Sequence, residues 1–562
     1  MRMARLGLWS VVAGVAACGG ESPPPEATKY YVKGSVTGLS GEVTLQLNGQ
    51  ERLTRTADGP FAFETPLADQ TSYAVAVATQ PPEQDCAVEG GTGQVAGADG
   101  GPVQVRCTAK TYSVGGSVTG ARGSLALTLG TETLPLSVEG RFTFVTRLPR
   151  GSPYEVGLSQ VPTGLRCTVS KGSGTVAGAV EDISVRCHDW YTLTAHQSAS
   201  GVLGQGDFTS RTADRGSSTG AGTLNRPLGN PAFVAGQLYV ADQGSNRILG
   251  FAGVPGTLGA DAQWVLGQAD FSGYDSGAGL QGLGQPSGLS GDSTRLAVAD
   301  QRNSRVLVYA PLPSTTATAP TVVLGQPDFD TTPFGCAANA LSYPQDVFVG
   351  HGKLLVADSA NHRVLVWNSP PTTNGQPADV VLGQRTFDTC RRNDANGDGT
   401  PDSKPGPTTL FNPSGVWTDG QRLAVVDSYN NRVLIWNTFP TTNAQPADVV
   451  LGQKDFTSNA AALSATGVDN PATLTSTGEQ LFVTDTLNHR VLVWNSFPTA
   501  SATPPDLVLG QADFTRADRF DPPTGTAPSA RSLVEPGGIT LAWPYVVVSD
   551  YGNNRVLLFQ SQ

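Results

Sequence analysis

Six aspartates and six arginines recur at a fixed offset and are the first residues of this sequence that could do chemistry. In VADSANHRVLVW (356–367), the Asp ends an apolar run, a turn rich in Asn follows, and the Arg begins a second apolar run. A catalytic residue is needed once, whereas a residue repeated in every unit serves the unit. We therefore expect the Asp to accept backbone N–H groups of its turn and the Arg to bond a carboxylate or free carbonyls. The predicted structural pairs are Asp242/Arg247, Asp300/Arg305, Asp358/Arg363, Asp427/Arg432, Asp485/Arg490 and Asp550/Arg555.

The elements that position these charges follow from the same repeat. An Asp, a tight turn and an Arg between two alternating apolar runs predict a β-hairpin. A shorter apolar stretch precedes each hairpin, and a VLGQ phrase, as in VLGQADF at 265–271 and 508–514, supplies a fourth strand. Four strands in each of six units predict a six-bladed β-propeller over residues 190–562. The first phrase, VLGQGDF, precedes every hairpin, so we expect a closing outer strand near 200–208 to lie beside RVLLF (555–559).

The stretch LLVADSANHRVLVWN resembles the NHL repeat, a propeller blade of both secreted and intracellular proteins. The resemblance extends through all six units. These units are longer than the usual NHL blade, and the additional length lies mainly in the loops around VLGQ. Units with this phrase and a Pro/Thr-rich loop are similar to those of exported bacterial proteins without an assigned activity.

Residues 28–110 and 111–189 are two copies of a smaller unit. YVKGSVTG matches SVGGSVTG, and VQVRC matches ISVRC. Their alternating apolar residues predict β-sandwich-like repeats, which we interpret as spacers because no ionisable cluster recurs in them. Each copy contains one cysteine pair, which predicts the disulfides Cys86–Cys107 and Cys167–Cys187. The predicted fold class is all-β, with two disulfide-bearing β-sandwich-like repeats followed by the propeller.

The N-terminal residues predict export. Two arginines precede the apolar stretch LGLWSVVAGVA, which is too short to span a bilayer. VAAC at 15–18 resembles the lipobox of bacterial lipoproteins. The resemblance implies a signal peptide over 1–17, a lipid on Cys18 and a tether over 18–27. Gly19, where a retention signal would have Asp, implies the outer membrane of a Gram-negative bacterium, facing the periplasm or the exterior. The alternative is an ordinary signal peptide cleaved after Ala17.

Cysteine counting agrees with a lipidated Cys18, since the chain has seven cysteines and lipidation leaves six for disulfides. Cys336 and Cys390 each follow a VLGQ phrase in consecutive units. Adjacent blades place such loops near each other on one face. We therefore predict a third disulfide, Cys336–Cys390.

The insertion CRRNDANGDGTPDSKPGP (390–407) interrupts the fourth unit. Its oxygen-bearing residues at alternate positions resemble the calcium loops of EF-hands, dockerins and thrombospondin type 3 repeats. Pro405 stands where an EF-hand has a bidentate Glu, and the alternative is a solvated loop. The implied Ca²⁺ ligands are the side chains of Asp394, Asn396 and Asp398, the carbonyl of Thr400, and Asp402 directly or through water.

The remaining residues favour binding over catalysis. His362 and His489 occupy the same slot in two units, and we interpret them as turn residues of the repeat. NHL-type zinc lyases need several converging histidines, and the sequence shows no such set and no GxSxG, HExxH or Walker motif. A net charge of −11 without a basic patch disfavours nucleic-acid binding. We expect a monomeric, non-catalytic module that binds or scaffolds protein or glycan; the alternative is a metal-dependent lyase or lactonase acting in the central channel.

Overall fold

A computed structural model describes residues 28–562 of the chain. The predicted signal peptide, the tether and Cys18 lie outside the described residues. Those residues group into two compact units. The first contains residues up to 119, 124–160 and 169–185, and the second contains 120–123, 161–168 and 186–562. Among the described residues, no helix has the length and hydropathy that crossing a bilayer would require.

Two sets of eight strands precede the propeller region, and both fold in the same way. β1–β8 form two four-stranded sheets in the orders β4-β1-β8-β6 and β3-β2-β5-β7, and β9–β16 repeat these orders as β12-β9-β16-β14 and β11-β10-β13-β15. Alternate residues such as Val43, Leu45 and Leu47 are buried, as the sequence pattern predicts. The strands are β1 Val32–Thr37, β2 Val43–Leu47, β3 Glu51–Arg55, β4 Gly59–Ala62, β5 Ser72–Thr79, β6 Gln84–Glu89, β7 Thr92–Gln94, β8 Gly100–Ala109, β9 Thr111–Thr119, β10 Leu125–Leu129, β11 Glu132–Leu136, β12 Gly140–Pro149, β13 Pro153–Gln160, β14 Leu165–Ser170, β15 Ser173–Thr175 and β16 Val180–Asp189.

The second unit contains four-stranded antiparallel sheets that we number 1 to 6. Sheet 1 is β18 Ala232–Val234, β19 Gln237–Asp242, β20 Arg247–Phe251 and β21 Trp264–Leu266. Sheet 2 is β22 Pro286–Asp292, β23 Arg295–Asp300, β24 Arg305–Tyr309 and β25 Val322–Leu324, and sheet 3 is β26 Pro344–Gly350, β27 Lys353–Asp358, β28 Arg363–Trp367 and β29 Val380–Leu382. Sheet 4 is β30 Pro413–Thr418, β31 Leu423–Asp427, β32 Arg432–Trp436 and β33 Val449–Leu451, and sheet 5 is β34 Pro471–Ser476, β35 Leu481–Asp485, β36 Arg490–Trp494 and β37 Leu507–Leu509. Sheet 6 is β38 Pro536–Ala542, β39 Tyr545–Asp550 and β40 Arg555–Gln560, completed by β17 Gly201–Leu203.

Short 3₁₀ helices occupy the turns of five hairpins, and a further one lies ahead of sheet 1. Their bounds are Ala213–Gly216, Gln243–Ser245, Gln301–Asn303, Ser359–Asn361, Ser428–Asn430 and Tyr551–Asn553.

The sheets of the second unit form a closed ring. The innermost strands β18, β22, β26, β30, β34 and β38 contact one another in that order, and β38 also contacts β18. The hydrophobic core lies between neighbouring sheets: one cluster joins sheets 2 and 3, and the next joins sheets 3 and 4. Radial four-stranded sheets around a common axis define a β-propeller.

The first VLGQ phrase closes this ring. Val202 in β17 pairs with Leu557 in β40, although the two residues are far apart in the chain. The pairing of the 200–208 segment with RVLLF therefore agrees with the prediction from the repeat count.

We predict that replacing Leu203 in this closing strand by Ala lowers the free energy of unfolding by about 3 kcal/mol, because Leu203 is fully buried between sheets 6 and 1. Urea denaturation measures the change. Val138→Ala is the control, since Val138 is 72% exposed and its loss should change stability by less than about 0.5 kcal/mol. If the two substitutions lowered the free energy of unfolding equally, the pairing of β17 with β40 would not stabilise the ring as predicted.

Candidate functional site

The repeated Asp and Arg side chains form a fully buried ion pair in every sheet. In sheet 3, Arg363 Nε donates to Asp358 Oδ2 at 2.7 Å, and neither side chain is exposed. Asp358 Oδ1 accepts the backbone N–H of Ser342 at 2.7 Å. The same 2.7 Å bond joins the pairs Asp242–Arg247, Asp300–Arg305, Asp427–Arg432, Asp485–Arg490 and Asp550–Arg555.

The arginine also holds two loops. Arg363 Nη1 donates to the carbonyl of Phe387, which ends the VLGQ phrase of the same sheet. Its Nη2 donates at 2.8 Å to the carbonyls of Ala337 and Ala340, in the loop that leads into the sheet. All four bonds of this guanidinium are used within the sheet and its loops, so the repeated charges are structural. Burial raises the pKa of Asp242 to about 6 against the opposing effect of Arg247, so this carboxylate is still ionised at neutral pH.

The glutamine of each VLGQ phrase adds a second fixed link. Gln384 Nε2 donates to the carbonyl of His362 at 3.0 Å and to that of Arg391 at 2.8 Å. The glycine before it has φ +87°, a left-handed conformation that favours Gly. The phrase therefore supplies a strand, a turn, a side-chain link to the hairpin and a carbonyl for the arginine.

The two hairpin histidines are hydrogen-bond acceptors between sheets. His362 Nδ1 accepts the backbone N–H of Asn412 at 3.3 Å, and His489 Nδ1 accepts that of Glu535 at 3.1 Å. Burial lowers the pKa of His362 to about 4 and also lowers the pKa of His489, which keeps both rings neutral. Asparagine has the same role at three further interfaces between neighbouring sheets, in the pairs Asn246–Gln285, Asn431–Asn470 and Asn554–Arg226.

The predicted calcium loop is organised around Asp394, which is nearly buried. Its Oδ1 accepts the backbone N–H of Gly397 at 2.8 Å, and its Oδ2 accepts that of Gly399 at 2.9 Å. Asp402 Oδ2 accepts the N–H of Ala395 at 2.9 Å. Over residues 28–562, no three or more His, Cys, Asp or Glu side chains are grouped as a metal would need. Calcium binding therefore stays a prediction from the sequence.

The structure contains disulfides at Cys86–Cys107, Cys167–Cys187 and Cys336–Cys390, which are the pairs that the sequence predicts. The third joins the loops that follow the VLGQ phrases of sheets 2 and 3. Disulfides of this kind persist in oxidising compartments, which indicates an extracellular or periplasmic protein.

Two polar residues that do not repeat lie buried on the axis of the ring, and sequence analysis missed both. Asp346 stands second after the proline that begins the inner strand, where the other sheets have Gly or Thr. Its Oδ2 accepts the N–H of Val416 at 3.0 Å and Asn230 Nδ2 at 3.2 Å. Its Oδ1 is buried without a protein partner. Burial raises the pKa of Asp346 to about 8.

Asn230 completes a hub that touches every sheet. Asn230 lies between Pro227 and Ala232, which pair with Asp242 and Tyr239 of β19. The segment between these two paired residues is one residue longer than the corresponding segment of sheet 2. Asn230 Nδ2 also contacts the carbonyl of Leu474 at 3.4 Å, its Oδ1 accepts the N–H of Ile539 at 3.0 Å, and its carbonyl accepts the N–H of Leu289 at 2.9 Å. With Asp346 linking sheets 3 and 4, this axial hub connects all six sheets across the channel.

Comparisons with known proteins add no functional information. No family model matches the chain, and no curated protein matches it. A crystal structure of a nidogen/laminin complex is similar at 18% identity, over 52% of this chain and 83% of that chain, with a TM-score of 0.29. Kuenenia stuttgartiensis hydrazine synthase is similar at 13% identity (60% and 96% covered, TM-score 0.32), and a streptogramin B lyase structure at 11% (61% and 97% covered, TM-score 0.31).

We predict that Arg363→Met lowers the free energy of unfolding by about 3–5 kcal/mol, because it leaves Asp358 buried and unpaired. Chemical denaturation measures the loss. The double variant Asp358→Leu/Arg363→Met should be more stable than the single variant, since no charge remains buried alone. A single variant as stable as the wild type would show that the pair is dispensable.

We predict that the interface histidines stabilise the fold less as pH falls from about 6.5 towards 4. Their pKa is lower in the folded than in the unfolded chain, so the unfolded chain binds more protons in this window and stability is lost on acidification. Asp346 has a raised pKa and contributes the opposite slope, so the test is a difference between variants. His362→Asn/His489→Asn, which copies Asn431, should reduce the acid loss measured by thermal unfolding; an unchanged pH profile would contradict the assignment.

For the 394–402 loop, the prediction is a calorimetric Ca²⁺ signal at or below millimolar concentration. Asp398→Asn should remove it. Asp455→Asn is the control, because Asp455 likewise accepts a backbone N–H two residues later, from Thr457, in a loop without the insertion. No heat with the unaltered protein would identify the loop as simply solvated.

Proposed function

We propose that this chain is an exported, lipid-anchored cell-envelope protein whose six-bladed, NHL-type propeller binds or scaffolds a protein or glycan without catalysing a reaction. The site of binding is the loop face, which we define as the end of the sheets that carries the Asp–Arg hairpin turns and the loops after VLGQ. One observation carries the proposal. Of the eight large apolar side chains exposed within residues 190–562, seven lie on this face: Tyr274, Leu280, Phe334, Tyr343, Tyr429, Leu463 and Leu487.

Exposed apolar and aromatic side chains gathered on one side favour an interaction surface. Phe334 is 73% exposed and Tyr274 is 62% exposed, so solvent reaches most of each ring. Tyr in particular offers a large contact area together with a hydroxyl, which suits both protein and glycan partners.

The arginine links make this surface suitable for recognition. A buried guanidinium and a glutamine hold each loop after VLGQ. In sheet 3 these are Arg363 and Gln384, which donate hydrogen bonds to loop carbonyls. Loops held before binding lose less conformational entropy on binding. Variable loops on a rigid scaffold are where proteins commonly place binding residues.

A catalytic channel is the second candidate, and Asp346 is the observation that favours it. A buried carboxyl group with a raised pKa in a channel is a frequent feature of active sites. Asp346 occurs once in the repeat, as a catalytic group would. Its Oδ2 is bonded within the hub, however, and a lyase or lactonase would need further groups beside it. A lyase or lactonase activity of the wild type would favour the enzyme if Asp346→Asn abolished it without lowering thermal stability.

The binding proposal is tested by capture from cell-envelope and extracellular extracts on an immobilised soluble form beginning at residue 28. The informative result is a partner retained by the wild type and lost with Tyr274→Ser/Phe334→Ser/Tyr429→Ser. Leu258→Ser is the matched control, because Leu258 is 46% exposed in the β20–β21 loop at the opposite end of sheet 1. Equal capture by both variants would place binding elsewhere.

The anchor is tested separately on the full chain. Mass spectrometry of the mature N-terminus should find diacylglycerol on Cys18, and Cys18→Ser should release the protein from the membrane fraction. A mature N-terminus at Cys18 without lipid would contradict the anchor and leave the binding proposal intact.

A further inference from the structure

A small cavity of about 130 Å³ lies on the propeller axis. It is lined by the inner strands of all six sheets, and Asn230 of the axial hub forms part of its lining. Phe348 lies near the end of β26 that pairs with Lys353, away from the Asp358 end. The cavity, which we call the axial funnel, is therefore displaced towards the end of the sheets opposite the loop face.

The lining of the axial funnel combines aromatic and hydroxyl-bearing side chains. Phe348 and Trp417 come from the adjacent strands β26 and β30 and supply aromatic surface. Phe233 of β18, opposite β30, is a third aromatic residue of the lining. Thr540 comes from β38, across the axis from β26, and Thr475 comes from β34, next to β30. The side chains of Phe348, Thr475 and Thr540 are half-buried and reachable by solvent, whereas Trp417 is 7% exposed.

The hydroxyls of Thr475 and Thr540 make no hydrogen bond to another described residue. Ser290, also in the lining, accepts the N–H of Val349 with its oxygen and keeps a free hydroxyl proton. The funnel thus offers unused hydroxyls together with aromatic rings, with Thr540 across the axis from Phe348. None of the residues that line it is charged.

We infer that the axial funnel binds the terminal pyranose residue of an uncharged glycan. A pyranose has an apolar C–H face that packs on an aromatic ring and hydroxyls at its edge that bond to polar side chains. The volume of about 130 Å³ is close to that of a ~150 Å³ cavity that holds benzene, so it has room for one sugar ring and not two, and the open end leaves room for the ring's hydroxyls and the rest of the glycan. Unpaired hydroxyls disfavour an apolar guest, which would leave them without partners.

The axial hub explains why the sugar is terminal. Asn230 uses both side-chain polar atoms in bonds to Asp346, Leu474 and Ile539, so it lies across the axis. A glycan entering from the open end would stop there. The funnel lies apart from the exposed residues of the loop face, so it adds a ligand class and a location to the proposed binding role.

The test titrates the protein with methyl glucoside, mannoside, galactoside and N-acetylglucosaminide, using ligand-observed NMR and Trp fluorescence. At least one neutral glycoside should bind, and methyl glucuronide should bind more weakly. Thr475→Val/Thr540→Val should weaken binding by about tenfold, because it removes the hydroxyls and preserves side-chain volume. Thr373→Val is the control, since Thr373 is exposed outside the funnel. Phe348→Leu should weaken binding by about fivefold through loss of the aromatic face.

The inference would be overturned if no glycoside bound saturably. It would also be overturned if the double variant Thr475→Val/Thr540→Val bound the glycoside as tightly as the wild type. Indole binding as tight as a glycoside, unaffected by Thr475→Val/Thr540→Val, would identify an apolar slot instead. Thermal unfolding of each variant separates lost binding from lost fold. Partner capture on the loop face does not involve the funnel. If no glycoside binds, the proposed loop-face binding therefore still stands, and if no partner is captured, the proposed glycan site still stands.

Discussion

The buried Asp–Arg pair is the interaction on which the rest of the propeller depends. A guanidinium and a carboxylate with no exposure to solvent are stable only when their hydrogen-bonding atoms are satisfied, because desolvation of each charge costs several kcal/mol. The chain meets this condition by placing backbone carbonyls from two loops and a backbone N–H around each pair. The pair therefore determines where those loops run, and six copies of the pair determine one whole face.

This constraint also explains the sequence of the loops. The VLGQxDF phrase provides the Phe carbonyl that the arginine needs and the glutamine that fixes the hairpin turn. Between these fixed points the residues are free to differ, which is where Tyr274, Phe334 and the insertion at 390–407 occur. The arginine and glutamine bonds recur in every sheet, whereas the loop side chains between them differ. Both features follow from the way the buried pair fixes the loop backbone.

Much of this fold could be predicted from the sequence because each repeated sequence phrase corresponds to a repeated structural element. The pairing of β17 with β40 followed from the order of the phrases, and the structural role of Asp358 and Arg363 followed from their recurrence. Asn230 and Asp346 were missed for the complementary reason: each departs from the repeat once. Aligning the residue two places after each inner-strand proline shows an Asp among Gly and Thr, and that signal was available. The bonds of Asn230 to distant strands were not, since they depend on the ring being closed.

Each guanidinium holds the loops of its own sheet. Hydrogen–deuterium exchange on the Arg363→Met variant tests it most directly. Amides in the loops that Arg363 bonds, around Ala337, Ala340 and Phe387, should exchange faster than in the wild type, while the loops of sheets 1 and 6 keep their protection. Unchanged exchange in the sheet 3 loops, or a uniform increase over all six sheets, would contradict the account.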